Sequence, residues 1–169
     1  MRLTIRLATD EDIPMMYDIS RSTHQLSYSN LIPTSHRHDF EQRYTPSKQS
    51  NEYYITKMVA LLQDSHWHMW VAESEGDVVG YTLEQRVNAH LILKKGLFVD
   101  PRHHNKGIGT ALFGKSLEVA KKRDVIRLSV IEKNDRAKQL YAKYGFVVKG
   151  YDTKTFFGAI LEVMEKTIS

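Results

Sequence analysis

Gly96-Leu-Phe-Val-Asp-Pro-Arg-His-His-Asn-Lys-Gly-Ile-Gly109 is the stretch on which the reading of this chain turns. Leu97-Phe98-Val99 is a short apolar run of strand type that stops at Asp100-Pro101. A polar, basic loop follows, two glycines flank Ile108, and a helical pattern begins. A strand, a glycine-bearing loop and a helix N-terminus together make a place for a phosphate group. Unpaired backbone N–H groups point outward there, and the helix dipole favours negative charge.

Upstream of this stretch, Arg2 to Ala8 alternates, with Leu3, Ile5 and Leu7 on one face of a half-buried strand. Thr9 or Asp10 caps the next helix, whose apolar face is Ile13, Met16, Tyr17 and Ile19. Ser22 to Pro33 is polar and reads as a loop. Helices are expected over Ser35 to Tyr44 and Ser47 to Gln63, the latter with Tyr54, Met58, Leu61 and Leu62 on one side. Trp67 to Ser74 and Val78 to Val87 form a hairpin about Glu75-Gly76-Asp77, and His90 to Val99 is the next strand.

Downstream, Gly107 to Arg123 reads as a helix and Val125 to Ile131 as a buried strand. Asn134 opens a further helix that ends at Tyr144-Gly145, and Phe146 to Gly150 and Phe156 to Lys166 are the last two strands. The order β-α-α-α-β-β-β-α-β-α-β-β predicts an α/β (α+β) domain over 1–169, a mixed sheet with helices packed on it.

The 169 residues contain no cysteine, which excludes disulfides, thiolate metal ligands and a thiol nucleophile. The N-terminus reads as a strand and not as a signal peptide. No apolar run approaches the roughly 20 residues that cross a bilayer, so a cytoplasmic protein without membrane contact is expected. The net charge of +4 is scattered over the chain with no basic block, so no nucleic-acid partner is expected. The alternating pairs His36/His38 and His66/His68 lack a third ligand at useful spacing, and no metal site is assigned.

Two phosphate motifs compete within the loop and helix. Gly109-Thr-Ala-Leu-Phe-Gly-Lys115-Ser116 matches the P-loop pattern, but Val99, the last strand residue, lies well upstream of Gly109. Thr110-Ala-Leu-Phe113 suits a core helix better than a loop. Gly107-Ile-Gly109 also begins a dinucleotide fingerprint, yet Leu112 stands where its third glycine belongs. The remaining reading ends the loop at about Gly107, with amides from His104 to Thr110 around a pyrophosphate and Lys106 adding charge.

Val99-Asp-Pro-Arg-His-His104-Asn-Lys-Gly107-Ile-Gly109 resembles the acyl-CoA signature of the GNAT superfamily of N-acetyltransferases, Arg/Gln-x-x-Gly-x-Gly/Ala after a strand and a proline. Asn134-Asp-Arg-Ala137-Lys-Gln-Leu140-Tyr141-Ala-Lys-Tyr-Gly145-Phe146 is similar to the superfamily's Asn-x-x-Ala-x-x-Leu-Tyr-x-x-x-Gly-Phe segment and lies at the usual distance. Tyr28 to Pro33 resembles an N-terminal segment of many members. His104 departs from the usual Arg or Gln, and Asn105 from a frequent Gly.

The resemblance implies a mostly antiparallel sheet of about seven strands, splayed between the fourth and fifth. It implies acetyl-CoA as acyl donor, its pantetheine arm along Leu97, Phe98 and Val99, and its pyrophosphate on His104, Asn105, Lys106, Gly107, Ile108, Gly109 and Thr110. Asn134 matches the residue that fixes the arm, and Lys143 is a candidate for the nucleotide phosphates. Tyr141 matches the tyrosine that protonates the departing sulfur. Read alone, Asn134 is equally a helix cap, Tyr141 a packed aromatic and Lys143 a surface lysine.

Acetyl transfer to an amine needs a neutral amine, a held carbonyl and a protonated leaving thiolate. The absence of cysteine closes a thiol relay and favours direct attack in a ternary complex. The general base is open. Many relatives place an acid at the position occupied here by Leu93, and Glu84, His90 or a water chain could substitute. The expected acceptor is a small-molecule, polyamine or peptide amine, selected by Ser22 to Tyr44, the hairpin and the last strands, with Tyr28, Tyr44 and Phe156 available. Oligomeric state is unreadable, and a homodimer stays open. The alternatives are a non-catalytic acyl-CoA sensor on the same fold and a P-loop kinase-like protein using Gly109 to Ser116.

Overall fold

The computed structural model describes residues 2–169, so that only Met1 lies outside it. Seven strands form one sheet in the order β1-β2-β3-β4-β5-β7-β6. They are β1 (Leu3–Leu7), β2 (Trp67–Ser74), β3 (Asp77–Arg86), β4 (Leu91–Val99), β5 (Val125–Ile131), β6 (Val147–Tyr151) and β7 (Leu161–Thr167). The helices are α1 (Ile13–Thr23), α2 (Thr34–Tyr44), α3 (Lys48–Gln63), α4 (Ile108–Leu117) and α5 (Asp135–Lys143). This is the mixed, mostly antiparallel architecture expected from the sequence, and no helix among the described residues is long and apolar enough to cross a membrane.

Alternation along β2 shows how the sheet is covered on both faces. Met69 and Val71 pack with Ile13, Met16 and Ile19 of α1 and Met58 of α3. Their neighbours Trp70 and Ala72 face the other way, against Ile108 and Leu112 of α4. On the far half of the sheet, Phe113 of α4 packs on Ile92, Ile126, Leu128 and Met164 beside Tyr141 of α5. Each such side chain contributes ~1.5–3 kcal/mol by burial.

The parallel pair β4–β5 is joined only from Leu91↔Val125 to Leu93↔Arg127. Beyond Leu93, β4 stays paired with β3 up to Gly80↔Val99, and β5 stays paired with β7 up to Ile131↔Leu161. The sheet therefore opens into a V. A bulge on the β3–β4 ladder at Leu83/Glu84, with Lys95 unmatched, lies where the strands part; bulges bend a strand and sharpen its twist.

Three elements differ from the sequence expectation. Ser22 to Pro33 is not a loop: α1 runs on through a π turn at His24–Tyr28 and a 3-10 turn at Ser29–Leu31. No glycine or proline stands between Pro14 and Pro33 to stop it. The helix expected to reach Arg123 ends at Leu117. Arg86 reaches in from β3 to bond the Val119 carbonyl at 3.0 Å and Asp124 at 2.9 Å, tying the chain after the helix into turns. The last strand begins at Leu161. Phe156 pairs with Ala159 across a tight reversal in which Phe157 and Gly158 have φ of 47° and 75°.

Candidate active site

The loop between β4 and α4 forms one wall of a cleft of about 750 Å³. Gly107 caps α4 with φ of 78°, a conformation that favours glycine, and Asn105 has φ of 63°. Ile108, Gly109 and Thr110, in the first turn of α4, have no intrahelical acceptor for their amides, and all three line the cleft. His104 fastens the loop. Its Nε2 lies 2.9 Å from the Val99 carbonyl and its Nδ1 accepts from Arg136 at 3.1 Å. Burial, ahead of the nearby Arg136 charge, lowers the His104 pKa from its ordinary value. Arg136 also donates to Asn105 Oδ1 at 3.2 Å and, with Lys133, brings positive charge to the cleft.

A smaller chamber of about 200 Å³ occupies the V between β4 and β5. Leu97, Tyr28, Asn134 and Tyr141 line both it and the first cleft, so the two spaces meet at these residues. The β4 edge that faces the chamber has lost its β5 partner, which leaves main-chain donors and acceptors free there. Asn134 caps α5, its Oδ1 accepting from the Ala137 amide at 3.2 Å. Tyr141 stands on Phe113 with ring centres 5.1 Å apart. Burial, then the neighbouring Tyr28, drive the Tyr141 pKa well above the usual range, so its hydroxyl keeps its proton.

A third cavity of about 470 Å³ lies between α1, α3 and the hairpin β2–β3. It shares His24, Phe98 and Lys95 with the chamber in the V. His24 is 7% exposed and stacks on Tyr44 with ring centres 4.1 Å apart. Its Nδ1 lies 2.6 Å from the Ser20 carbonyl. A carbonyl only accepts, so Nδ1 carries the hydrogen and Nε2 the lone pair. Burial pushes the His24 pKa down to about 4, so the ring is neutral at physiological pH.

Of the residues expected at the site, Leu97, Val99, His104, Asn105, Gly107, Ile108, Gly109, Thr110, Asn134 and Tyr141 line the first cleft, and Phe98 lines the other two cavities. Lys106 and Lys143 are exposed and line none of the three. Glu84 requires a correction. It is 1% exposed, and its Oε1 accepts from Lys94 Nζ at 2.6 Å and from Thr82 at 2.7 Å. Lys94 donates to Thr82 as well and to Ser116 at 2.9 Å. Glu84 is thus enclosed in the sheet core and lines none of the three cavities. His90 is exposed beyond the closed end of the V.

The P-loop reading fails on the same geometry. Gly109 to Ser116 lie inside α4, where Leu112 and Phe113 are fully buried and Lys115 pairs with Glu118 at 2.6 Å. Arg136 and His24 are the residues that motif reading missed. Arg136 sits within the Asn134 to Phe146 segment, where its charge was the signal. His24 lay in a stretch read as loop, and nothing in its neighbours marked it.

The Acetyltransferase (GNAT) family model matches residues 26–146. The chain belongs to this family. Over 162 residues this GNAT chain is 26% identical to the spermine/spermidine N(1)-acetyltransferase of Bacillus subtilis, covering 89% of the chain and 91% of that protein. Over 90 residues it is 34% identical to the L-amino acid N-acetyltransferase AaaT of Escherichia coli, covering 50% of the chain and 56% of that protein. The relatives matched at 34% identity are spanned over only 52% to 61% of their length. The fold is also that of the PaiA N-acetyltransferase of Thermoplasma acidophilum, solved with coenzyme A. The TM-score is 0.77 at 20% identity, with 99% of each chain covered.

Proposed function

We propose that this protein transfers an acetyl group from acetyl-CoA to a primary amine by direct attack, with both substrates bound together. The observation that carries this reading is a row of three adjoining cavities, with Tyr141 lining the first and second and His24 the second and third. Acetyl-CoA supplies the acetyl group as an activated thioester. The residues present fit it. The unpartnered amides at the start of α4, with Arg136 and Lys133, suit its pyrophosphate. The open β4 edge at Leu97 to Val99 suits the amides of its arm, and one such N–H can polarise the thioester carbonyl.

Tyr141 is protonated and faces the chamber, so it serves as donor to the departing sulfur. His24, and not the enclosed Glu84, stands where a proton acceptor is needed. The ring lines both chamber and pocket, and its Nε2 lone pair, with no hydrogen-bond partner among the described residues, accepts the N–H proton that the amine sheds as attack makes its nitrogen cationic. Tyr28 and Tyr44 face the ring from the sides, and Arg21, Arg43 and Lys95 line the adjoining cavity. Burial holds the ring in its neutral, proton-accepting form.

Calorimetric titration with acetyl-CoA tests the reading, with saturable binding expected at micromolar to millimolar ligand. Absence of binding at millimolar acetyl-CoA overturns it. A non-catalytic sensor on this fold would bind acetyl-CoA and release no thiol across a broad amine panel.

A further inference from the structure

The third cavity has a composition that selects its occupant. Four cationic side chains line it, Arg21, Arg43, Lys57 and Lys95, and none of the described lining residues is Asp or Glu. Three of the four, Arg43, Lys57 and Lys95, make no ion pair among the described residues, and the fourth has only a distant one. Arg21 has its nearest carboxylate, the exposed Asp18, at 3.9 Å, and otherwise donates only to Gln25 at 3.0 Å. Its Nε is buried without a hydrogen-bond partner. Arg43 lies over the Tyr53 ring at 5.7 Å from its centre and makes no ion pair among the described residues. Lys57 and Lys95 likewise have no carboxylate partner there, and both are exposed at the rim.

The floor is aromatic. Tyr17 and Tyr54 pack with ring centres 5.3 Å apart, and the Tyr54 hydroxyl bonds the buried Tyr81 hydroxyl at 3.0 Å. Phe98 and Leu83 complete the apolar wall. At the inner end stands His24, which also lines the chamber in the V. The pocket thus has a neutral hydrogen-bond acceptor at its inner end, an apolar and aromatic body, and cations along its sides and mouth with no carboxylate among the lining residues.

Resting on the acetyl-transfer reading above, we propose that the acceptor is a small amine that carries a carboxylate beside the amine and an apolar or aromatic side group. The amine lies at His24 and the carboxylate reaches Arg21 and Arg43. A fork of guanidinium donors matches a carboxylate in a way that a second ammonium cannot use. A polyamine brings a second positive charge into a cavity that already holds four and offers none of them a partner. Its exclusion is therefore electrostatic.

Matched amines provide the test: L-phenylalanine, L-phenylalaninamide and phenethylamine share one body and differ at the carboxylate, with spermidine as the polyamine. Calorimetry in the presence of CoA reads binding without turnover, and thiol release from acetyl-CoA reads transfer. L-Phenylalanine should bind and be acetylated with kcat/KM about tenfold or more above its amide and phenethylamine, and further above spermidine. Arg21→Gln and, separately, the exposed Arg43→Gln should raise KM for L-phenylalanine about tenfold while leaving KM for phenethylamine within twofold.

Equal or tighter use of spermidine or phenethylamine overturns the assignment, as does an unchanged KM for L-phenylalanine in both variants. So does failure of every amine to bind. Binding of L-phenylalanine with no thiol release from any amine leaves the pocket assignment standing and overturns the acetyl-transfer reading instead.

Discussion

Replacing Glu84 with glutamine separates two accounts of this residue, because each predicts a loss that the other does not. The side chains of Glu84 and Lys94 are each 2% exposed, with Nζ and Oε1 2.6 Å apart. Lys94 also lies 5.1 Å from the centre of the Phe113 ring. Burial pushes the ammonium below its ordinary pKa, and the Glu84 charge pulls it back. Glu84→Gln removes that compensation and leaves a lysine enclosed in the sheet core, a change that destabilises by ~3–5 kcal/mol. At ~2–4 °C per kcal/mol for a domain of this size, Tm should fall by ~6–20 °C by scanning calorimetry. Activity measured well below Tm should change less than tenfold. Glu84→Leu combined with Lys94→Met should recover much of the Tm, since an apolar pair of similar volume can replace a buried ion pair. An unchanged Tm with turnover reduced ~10²-fold or more would refute this reasoning and restore Glu84 as the base.

Further outcomes follow from the site. The folded His24 pKa, about 4, lies below the ordinary 6.5. The unfolded chain therefore binds a proton that the folded one refuses between these values. Stability should be full above pH 6.5 and fall by ~3 kcal/mol as pH drops toward 4, and His24→Gln should flatten that fall in denaturant titrations at each pH. A parallel fall in the variant would count against the buried neutral ring. Arg136→Gln should weaken acetyl-CoA binding about tenfold by calorimetry and reduce its salt dependence; equal affinity would remove Arg136 from the pyrophosphate site. Tyr141→Phe should lower kcat ~10²-fold or more with acetyl-CoA affinity nearly intact. Unchanged turnover would make it a packed aromatic.

The fold was legible where periodicity was strong. Trp67–Ser74 and Val125–Ile131 have the limits read from alternation and from an apolar run. The V was implied only through resemblance, since nothing local in Leu91 to Val99 says where β4 leaves β5. Register is a property of two strands, and the bulge that leaves Lys95 unmatched is visible only on pairing. Glu84 shows the same limit. Alternation along β3 could not reveal that Lys94 comes within 2.6 Å from the next strand. His24 was hidden because a polar stretch without stop signals continues as helix when one face is buried against the sheet. Arg136 occupies a position that the motif leaves unspecified between Asn134 and Ala137, so its partners are visible only in the fold.

The central claim is that the three cavities form one path along which an acetyl group passes from thioester to amine. Mass spectrometry of reactions with acetyl-CoA and the amine panel, run alongside thiol release, tests it most directly. The expected result is an N-acetylated amine formed in equal amount with free CoA thiol, with both rates falling together ~10²-fold in Tyr141→Phe. Tight acetyl-CoA binding with no acetylated product from any amine would contradict it.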